Sequence, residues 1–210
     1  GVRLVGSEMC IRDSRYLVAC ADANIPALLV LNKTDLLKDN DPILALIAEY
    51  QALGYEVMQT QADGDLTALT QRLKNETVAF VGQSGVGKST LINAIVPDAA
   101  QKTNVISENS ALGQHTTTST RLIGFGEGAS LIDSPGIREF GLWHLDADKV
   151  QRGFPEIENL LGYCQFRNCT HKHEKQCALR LAAANGEILT RRLDSYLRLI
   201  DEIAEAQQKN

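Results

Sequence analysis

Residues 78–95 read VAFVGQSGVGKSTLINAI. A short apolar run enters a glycine-rich loop, and the loop opens into a helix-forming segment. Gly82 to Ser89 matches G-x-x-x-x-G-K-[ST] in full, in the strand–loop–helix setting that this motif requires. Glycines let successive backbone N–H groups turn inward around phosphate oxygens, and the start of the helix adds partial positive charge. Gly82, Gln83, Ser84, Gly85, Val86 and Gly87 are the candidate phosphate cradle, continued by Lys88, Ser89 and Thr90. Lys88 is expected to reach the β- and γ-phosphates of a nucleotide, and the Ser89 hydroxyl to ligate Mg²⁺. A chance glycine-rich turn is the alternative, and the flanking strand and helix argue against it.

The loop alone does not separate ATP from GTP. Residues 28–38, LLVLNKTDLLK, do. An Asp35 carboxylate can accept two hydrogen bonds from the N1–H and N2–H₂ edge of guanine, and adenine offers no such pair. A carboxylate left buried and unpaired is costly, which is how a site rejects a near-isostere. Asn32 can bridge base and phosphate loop, and Lys33 can lay its stem over the ring. The competing readings are a polar turn after a strand, and an ATPase whose NKTD is accidental.

A third element, Asp133-Ser134-Pro135-Gly136, follows the apolar segment SLI. An Asp at a strand end near the phosphates can hold Mg²⁺ through water. The Gly136 N–H can bond the γ-phosphate without obstruction. Between this element and the phosphate loop lies His115-Thr116-Thr117-Thr118; Thr117 is the expected Mg²⁺ ligand, with Thr118 in reserve. Many GTPases place a water-orienting glutamine just after Asp-x-x-Gly. Here that place is Ile137, so intrinsic turnover is expected to be slow. His115 is the candidate to orient the attacking water, since imidazole can accept its proton.

Strand and helix signals alternate from Tyr16 to about Leu142. Helices are expected over Tyr16–Ala23, Pro42–Leu53, Leu66–Lys74 and Ser89–Ile95. Strands are expected over Ala27–Leu31, Tyr55–Thr60, Val78–Val81, Thr120–Phe125 and Ala129–Ile132, and residues 107–119 as a polar loop. The pattern predicts an α/β fold with a mostly parallel sheet. The base-reading element precedes the phosphate loop, the reverse of the ordinary GTPase order. Ligands bind along the C-terminal edge of a parallel sheet, and that edge does not record which strand came first; the order is therefore a circular permutation. After about Leu142 short helical pieces surround a Cys/His cluster, and a final helix is expected over Gly186–Gln207. Residues 1–14 show no clear period and read as a junction segment, which leaves 15–142 for the nucleotide domain and 143–210 for a helical metal-binding domain.

A hydrophobic content of 44% with 22% charged residues suits a globular protein. No run of eighteen apolar residues marks a membrane span, and no secretory leader is evident, so a cytoplasmic location is the expectation. The net charge of −5 does not advertise a nucleic-acid binder, although local patches matter more than the sum. Of five cysteines, Cys164, Cys169 and Cys177 cluster around His171 and His173, which suits reduced thiols and a metal better than disulfides. Residues 164–198 hold seven Lys/Arg against three Asp/Glu, a local excess of +4. That excess fits either a nucleic-acid-facing surface or a merely solvated one.

The segments RYLVA, VLNKTDLL, GQSGVGKSTLINA, GQHTTTSTRL, DSPGIREFGLW and CQFRNCTHKHEKQCA together resemble the circularly permuted, small-ribosomal-subunit-dependent GTPases of bacteria, the RsgA or YjeQ family. The resemblance runs from about Arg15 to the end. It implies GTP and GDP as ligands, Mg²⁺ as cofactor, hydrolysis stimulated by the small ribosomal subunit, and a role late in maturation of that subunit. It implies the subunit and its rRNA as partners, a monomer, and neither a membrane nor DNA. A binding module with little turnover of its own is the alternative. The resemblance favours His171 over His173 beside Cys164, Cys169 and Cys177, a Cys₃His set that suits structural, four-coordinate Zn²⁺. Family members begin with an OB-fold domain, so this chain resembles an N-terminally truncated member. The family's fifth nucleotide element usually reads Ser-Ala; here it is Gln61-Ala62, where the Ala62 backbone N–H is the expected base contact.

Overall fold

The structure is a computed structural model that describes residues 7–61, 63–82, 85–96, 121–133 and 145–208. These fall into two compact units. The first takes the described residues of 28–47 and 56–133, and the second those of 7–27, 48–55 and 145–208.

In the first unit, strand β1 (Leu28–Leu31) pairs in parallel with β2 (Glu56–Gln59), with Leu28 opposite Glu56 and Leu31 opposite Gln59. A 3₁₀ turn over Thr34–Leu36 follows β1, and helix α2 (Pro42–Ala52) begins beyond it. Helix α3 (Thr67–Arg72) leads into a short β3 (Thr77–Val78), and α4 (Lys88–Ile95) follows the glycine loop. β4 (Arg121–Phe125) and β5 (Ala129–Asp133) form a hairpin, and β3 pairs in parallel with β5 to give the order β3-β5-β4. β4 is antiparallel to β5 because the three-residue link Gly126–Gly128 is far too short for a parallel crossover. The expected strand Val78–Val81 is thus shorter and displaced, since its ladder to β5 ends at Val78↔Leu131. Leu69, Leu91, Ile95, Ile123, Phe125 and Leu131 are the centre of this unit's core.

In the second unit, α1 (Ser7–Asp22) starts nine residues before the helix expected at Tyr16, and α8 (Thr190–Gln208) starts four residues after the expected Gly186. Between them lie α5 (Ala147–Gln151), capped by the Asp146 carboxylate accepting from the Lys149 N–H at 2.9 Å, then α6 (Pro155–Glu158) and α7 (Ala178–Ala184). The core joins Val18, Val150, Phe154, Ile157, Leu179 and Leu199. Arg192 is fully buried within it. Its guanidinium donates to Glu156 at 2.6 and 3.3 Å, to the Gly153 carbonyl at 3.0 Å and to the Ser14 hydroxyl at 3.3 Å, and it lies 4.2 Å from the Phe154 ring centre. Desolvation works against its charge, but the hydrogen bonds and charge of Glu156 outweigh it and leave the Arg192 pKa raised. Removing one partner of such a pair costs about 3–5 kcal/mol, because the other charge is left buried. No described helix is long and apolar enough to cross a membrane.

Candidate functional site

The nucleotide elements of the first unit meet through side chains that donate to backbone carbonyls. Asn32, just past the end of β1, donates its amide to the Val86 carbonyl at 3.2 Å. Lys33 sits in the left-handed region at φ 63° and its ammonium donates to the Gly85 carbonyl at 2.8 Å. Lys88 folds back on its own loop and donates to the Gly82 carbonyl at 2.7 Å. Gly82, Gly85 and Gly87 all have positive φ, which turns the loop tightly. At Gly87 a Cβ would lie 2.5 Å from the Asn32 amide nitrogen, so the bridge from the base-reader needs glycine there.

Asn32 is oriented from its other side by Thr60, the residue that precedes Gln61 and Ala62. Thr60 is 6% exposed, and its hydroxyl donates to the Asn32 Oδ1 at 3.2 Å. The Thr60 N–H donates to the Leu31 carbonyl at 2.8 Å, while its own carbonyl accepts from the Thr34 N–H and hydroxyl, each at 3.2 Å. With Thr60 donating to the oxygen, the Asn32 nitrogen faces the phosphate loop. The Asp35 side chain is exposed at the 3₁₀ turn, and Ser89 and Thr90 are exposed in the first turn of α4. Gln61 lies over Gly64, where a Cβ would come within 2.5 Å of its Cγ. Ala62, Gln83, Ser84, His115, Thr117, Thr118, Gly136 and Ile137 lie outside the described residues, as does the side chain of Asp133 at the end of β5.

The second unit gathers Cys164, Cys169, His171 and Cys177, whose ligand atoms all lie within 4.8 Å of one another. The Cys164 and Cys177 sulfurs are 3.9 Å apart, and the His171 Nδ1 is 3.4 and 3.3 Å from them. A tetrahedral zinc with bonds of about 2.3 Å to sulfur and about 2.0 Å to nitrogen needs edges of about 3.8 and 3.5 Å, which the Cys164, Cys177 and His171 atoms approach, with the Cys169 sulfur within 4.8 Å of them. Desolvation lowers the His171 pKa and favours the neutral imidazole that ligates. The Cys169 thiol is pushed up to about 12, first by desolvation and further by its hydrogen bonds with the Cys164 and Cys177 sulfurs. Three sulfurs so close ionise together only with a cation among them. The Ala178 N–H, first in α7, donates to the Cys164 sulfur at 3.3 Å. Glu174 holds the ligand loop from outside: its carboxylate accepts from the Thr170 N–H and hydroxyl, each at 2.7 Å, and from the His173 N–H at 3.1 Å. Those bonds, led by the Thr170 N–H, pull the Glu174 pKa down to about 2. His173 is exposed and outside the cage.

The model of the RsgA GTPase family matches residues 10–143. The chain belongs to the RsgA GTPase family. It is 49% identical over 199 residues to the small ribosomal subunit biogenesis GTPase RsgA of Actinobacillus succinogenes, covering 93% of this chain and 57% of that protein. A relative of the same description in Marinobacter nauticus is 46% identical over 201 residues, again 93% and 57%. This chain therefore spans little more than half the length of the curated relatives it matches. Among solved structures, YloQ, described as a circularly permuted GTPase, superposes with a TM-score of 0.72 at 29% identity, covering 93% of this chain and 63% of that one. YjeQ from Thermotoga maritima gives 0.70 at 28%, covering 93% and 66%. The fold is accordingly that of a circularly permuted GTPase.

Proposed function

We propose that this chain binds guanine nucleotides in the first unit and hydrolyses GTP to GDP and phosphate, stimulated by the small ribosomal subunit during its late maturation in the cytoplasm. The observation that carries the proposal is the bond from the Asn32 amide to the Val86 carbonyl, which ties a guanine-reading segment to a phosphate loop that follows it in sequence. Family membership and the description of the relatives support the ribosomal setting.

Asp35 reads the guanine edge, Lys33 covers the ring, and the backbone around Gln61 and Ala62 closes the base side. Residues 82–90 receive the phosphates through backbone N–H groups, whose neighbouring carbonyls at Gly82, Gly85 and Val86 already have donors. Lys88 is assigned to the β- and γ-phosphates, and the Gly136 N–H to the γ-phosphate. Ser89, Thr117 and Asp133 are assigned to Mg²⁺, which when bound neutralises charge developing on the phosphate oxygens. His115 is assigned to orient the attacking water. Cys164, Cys169, His171 and Cys177 hold structural Zn²⁺. The functional division keeps 15–142 for nucleotide chemistry and 143–210 for metal and rRNA, the chain acting as a monomer.

The test is GTP turnover with and without purified small ribosomal subunits, with Lys88→Ala as the control. Stimulation lost in Lys88→Ala supports the proposal. Nucleotide competed equally by GDP and ADP would overturn the guanine assignment, and tight GDP binding without stimulated turnover would leave only a binding module.

A further inference from the structure

Two large aromatic side chains left in water flank the first metal ligand. Tyr163 is 78% exposed and Phe166 53% exposed, on either side of Cys164. The backbone that presents them is fixed. The Cys169 N–H donates to the Phe166 carbonyl at 3.2 Å, and the Gln165 N–H to the Gln176 carbonyl at 3.4 Å. Rings held out on a fixed loop lose little freedom when something stacks on them.

The charges around them are unbalanced. Residues 163–181 carry Arg167, Lys172, Lys175 and Arg180 against Glu174 alone. Glu174 spends its carboxylate on Thr170 and His173 within the loop. Lys172 is paired with Asp201 at 2.6 Å, whereas Arg180 reaches only the Lys172 carbonyl, and Arg167 and Lys175 are exposed. In a chain of net charge −5, this loop is a local cationic surface with aromatic faces.

We infer that this loop binds unpaired RNA, with Tyr163 and Phe166 stacking on splayed bases and Arg167, Lys175 and Arg180 meeting the phosphates beside them. The inference rests on the proposal that rRNA is a partner and names the form of RNA recognised. Cations alone fit any phosphate backbone. Aromatic faces add affinity only where bases are out of the helix, because a duplex buries its base faces by stacking. Arginine beside an aromatic ring suits the same target.

The experiment titrates the whole 210-residue chain, with zinc content measured, against a labelled twelve-nucleotide single-stranded RNA and a blunt RNA duplex of the same length, while GTP turnover is followed in parallel. The expected result is tighter binding of the single strand. Tyr163→Ala and Phe166→Ala should each weaken single-strand binding about tenfold and leave duplex binding unchanged, while Tyr163→Phe and Phe166→Tyr restore it. Arg167→Ala should weaken both RNAs and make the salt dependence shallower. Equal binding of both RNAs, untouched by loss of the rings, would overturn the inference in favour of non-specific cation–phosphate adhesion. No binding of either RNA by zinc-loaded chain would overturn it in favour of a protein partner. Failure of the GTPase proposal would show separately, in the turnover assay, whichever way the RNA result falls.

Discussion

The phosphate loop and the zinc loop satisfy their backbones in opposite ways. Around Gly82–Gly87, side chains consume carbonyls: Lys88 takes that of Gly82, Lys33 that of Gly85 and Asn32 that of Val86. Around Cys164–Cys177, acceptors consume N–H groups: Glu174 takes those of Thr170 and His173, and the Cys164 sulfur takes that of Ala178. The first pattern sets aside donors for an anion. The second closes the backbone and leaves three sulfurs and an imidazole facing one another for a cation. Each loop is stabilised by groups whose charge or polarity does not compete with its ligand.

The largest expected effect is metal withdrawal. A structural zinc contributes about 10–16 kcal/mol of apparent binding energy to a small site. Chelation should therefore melt helix content of the second unit in circular dichroism, and zinc should restore it. Unchanged helicity would break the comparison, because the second loop would then not depend on a cation.

Next comes Gly87→Ala. Its Cβ would meet the Asn32 amide nitrogen at 2.5 Å, on a backbone with φ +91°. The left-handed conformation alone costs about 1–2 kcal/mol with a side chain, so GDP affinity should fall about a hundredfold once Asn32 is displaced too. Calorimetric titration with GDP checks this, with a cooperative thermal unfolding transition as the control that the variant still folds.

Glu174→Ala removes the acceptor that closes the zinc loop from outside. Loss of such an outer partner weakens metal binding about 10–100-fold, and competition with a chromophoric chelator reads it. The smallest expected effect is Thr60→Val, which removes one donor to the Asn32 oxygen, worth about 1 kcal/mol. GDP should bind several-fold more weakly and Thr60→Ser should recover it, which a volume effect alone would not produce.

The parts legible in sequence were those whose chemistry is local. The phosphate loop, NKTD and the Cys₃His spacing each name their ligand type within a few residues, and the permuted order follows from their sequence. The less legible parts depend on distant partners. Arg191 and Arg192 counted toward a basic surface, but Arg192 is buried against Glu156 and Arg191 pairs with Glu49, so the cationic face is narrower than composition suggests. Thr60 is an ordinary threonine at a strand end until Asn32 folds beside it. α1 began earlier than its apolar pattern indicated; that helix packs on α8, with Arg15 paired to Glu202 and the Ser14 hydroxyl taken up by Arg192. β3 shrank because a strand's length is set by its partner's ladder and not by its own apolar run.

The most direct test of the central claim, that a base-reader and a later phosphate loop form one guanine site, is a binding swap. Asp35→Asn exchanges an acceptor of guanine's N2–H₂ for an amide that can donate to the C2 carbonyl of xanthine. Titration of the variant with GDP and with xanthosine diphosphate should show GDP affinity lost and xanthosine diphosphate affinity gained, with the wild-type chain showing the reverse. Undiminished GDP binding by Asp35→Asn would contradict the claim, since the NKTD segment would then not be reading the base.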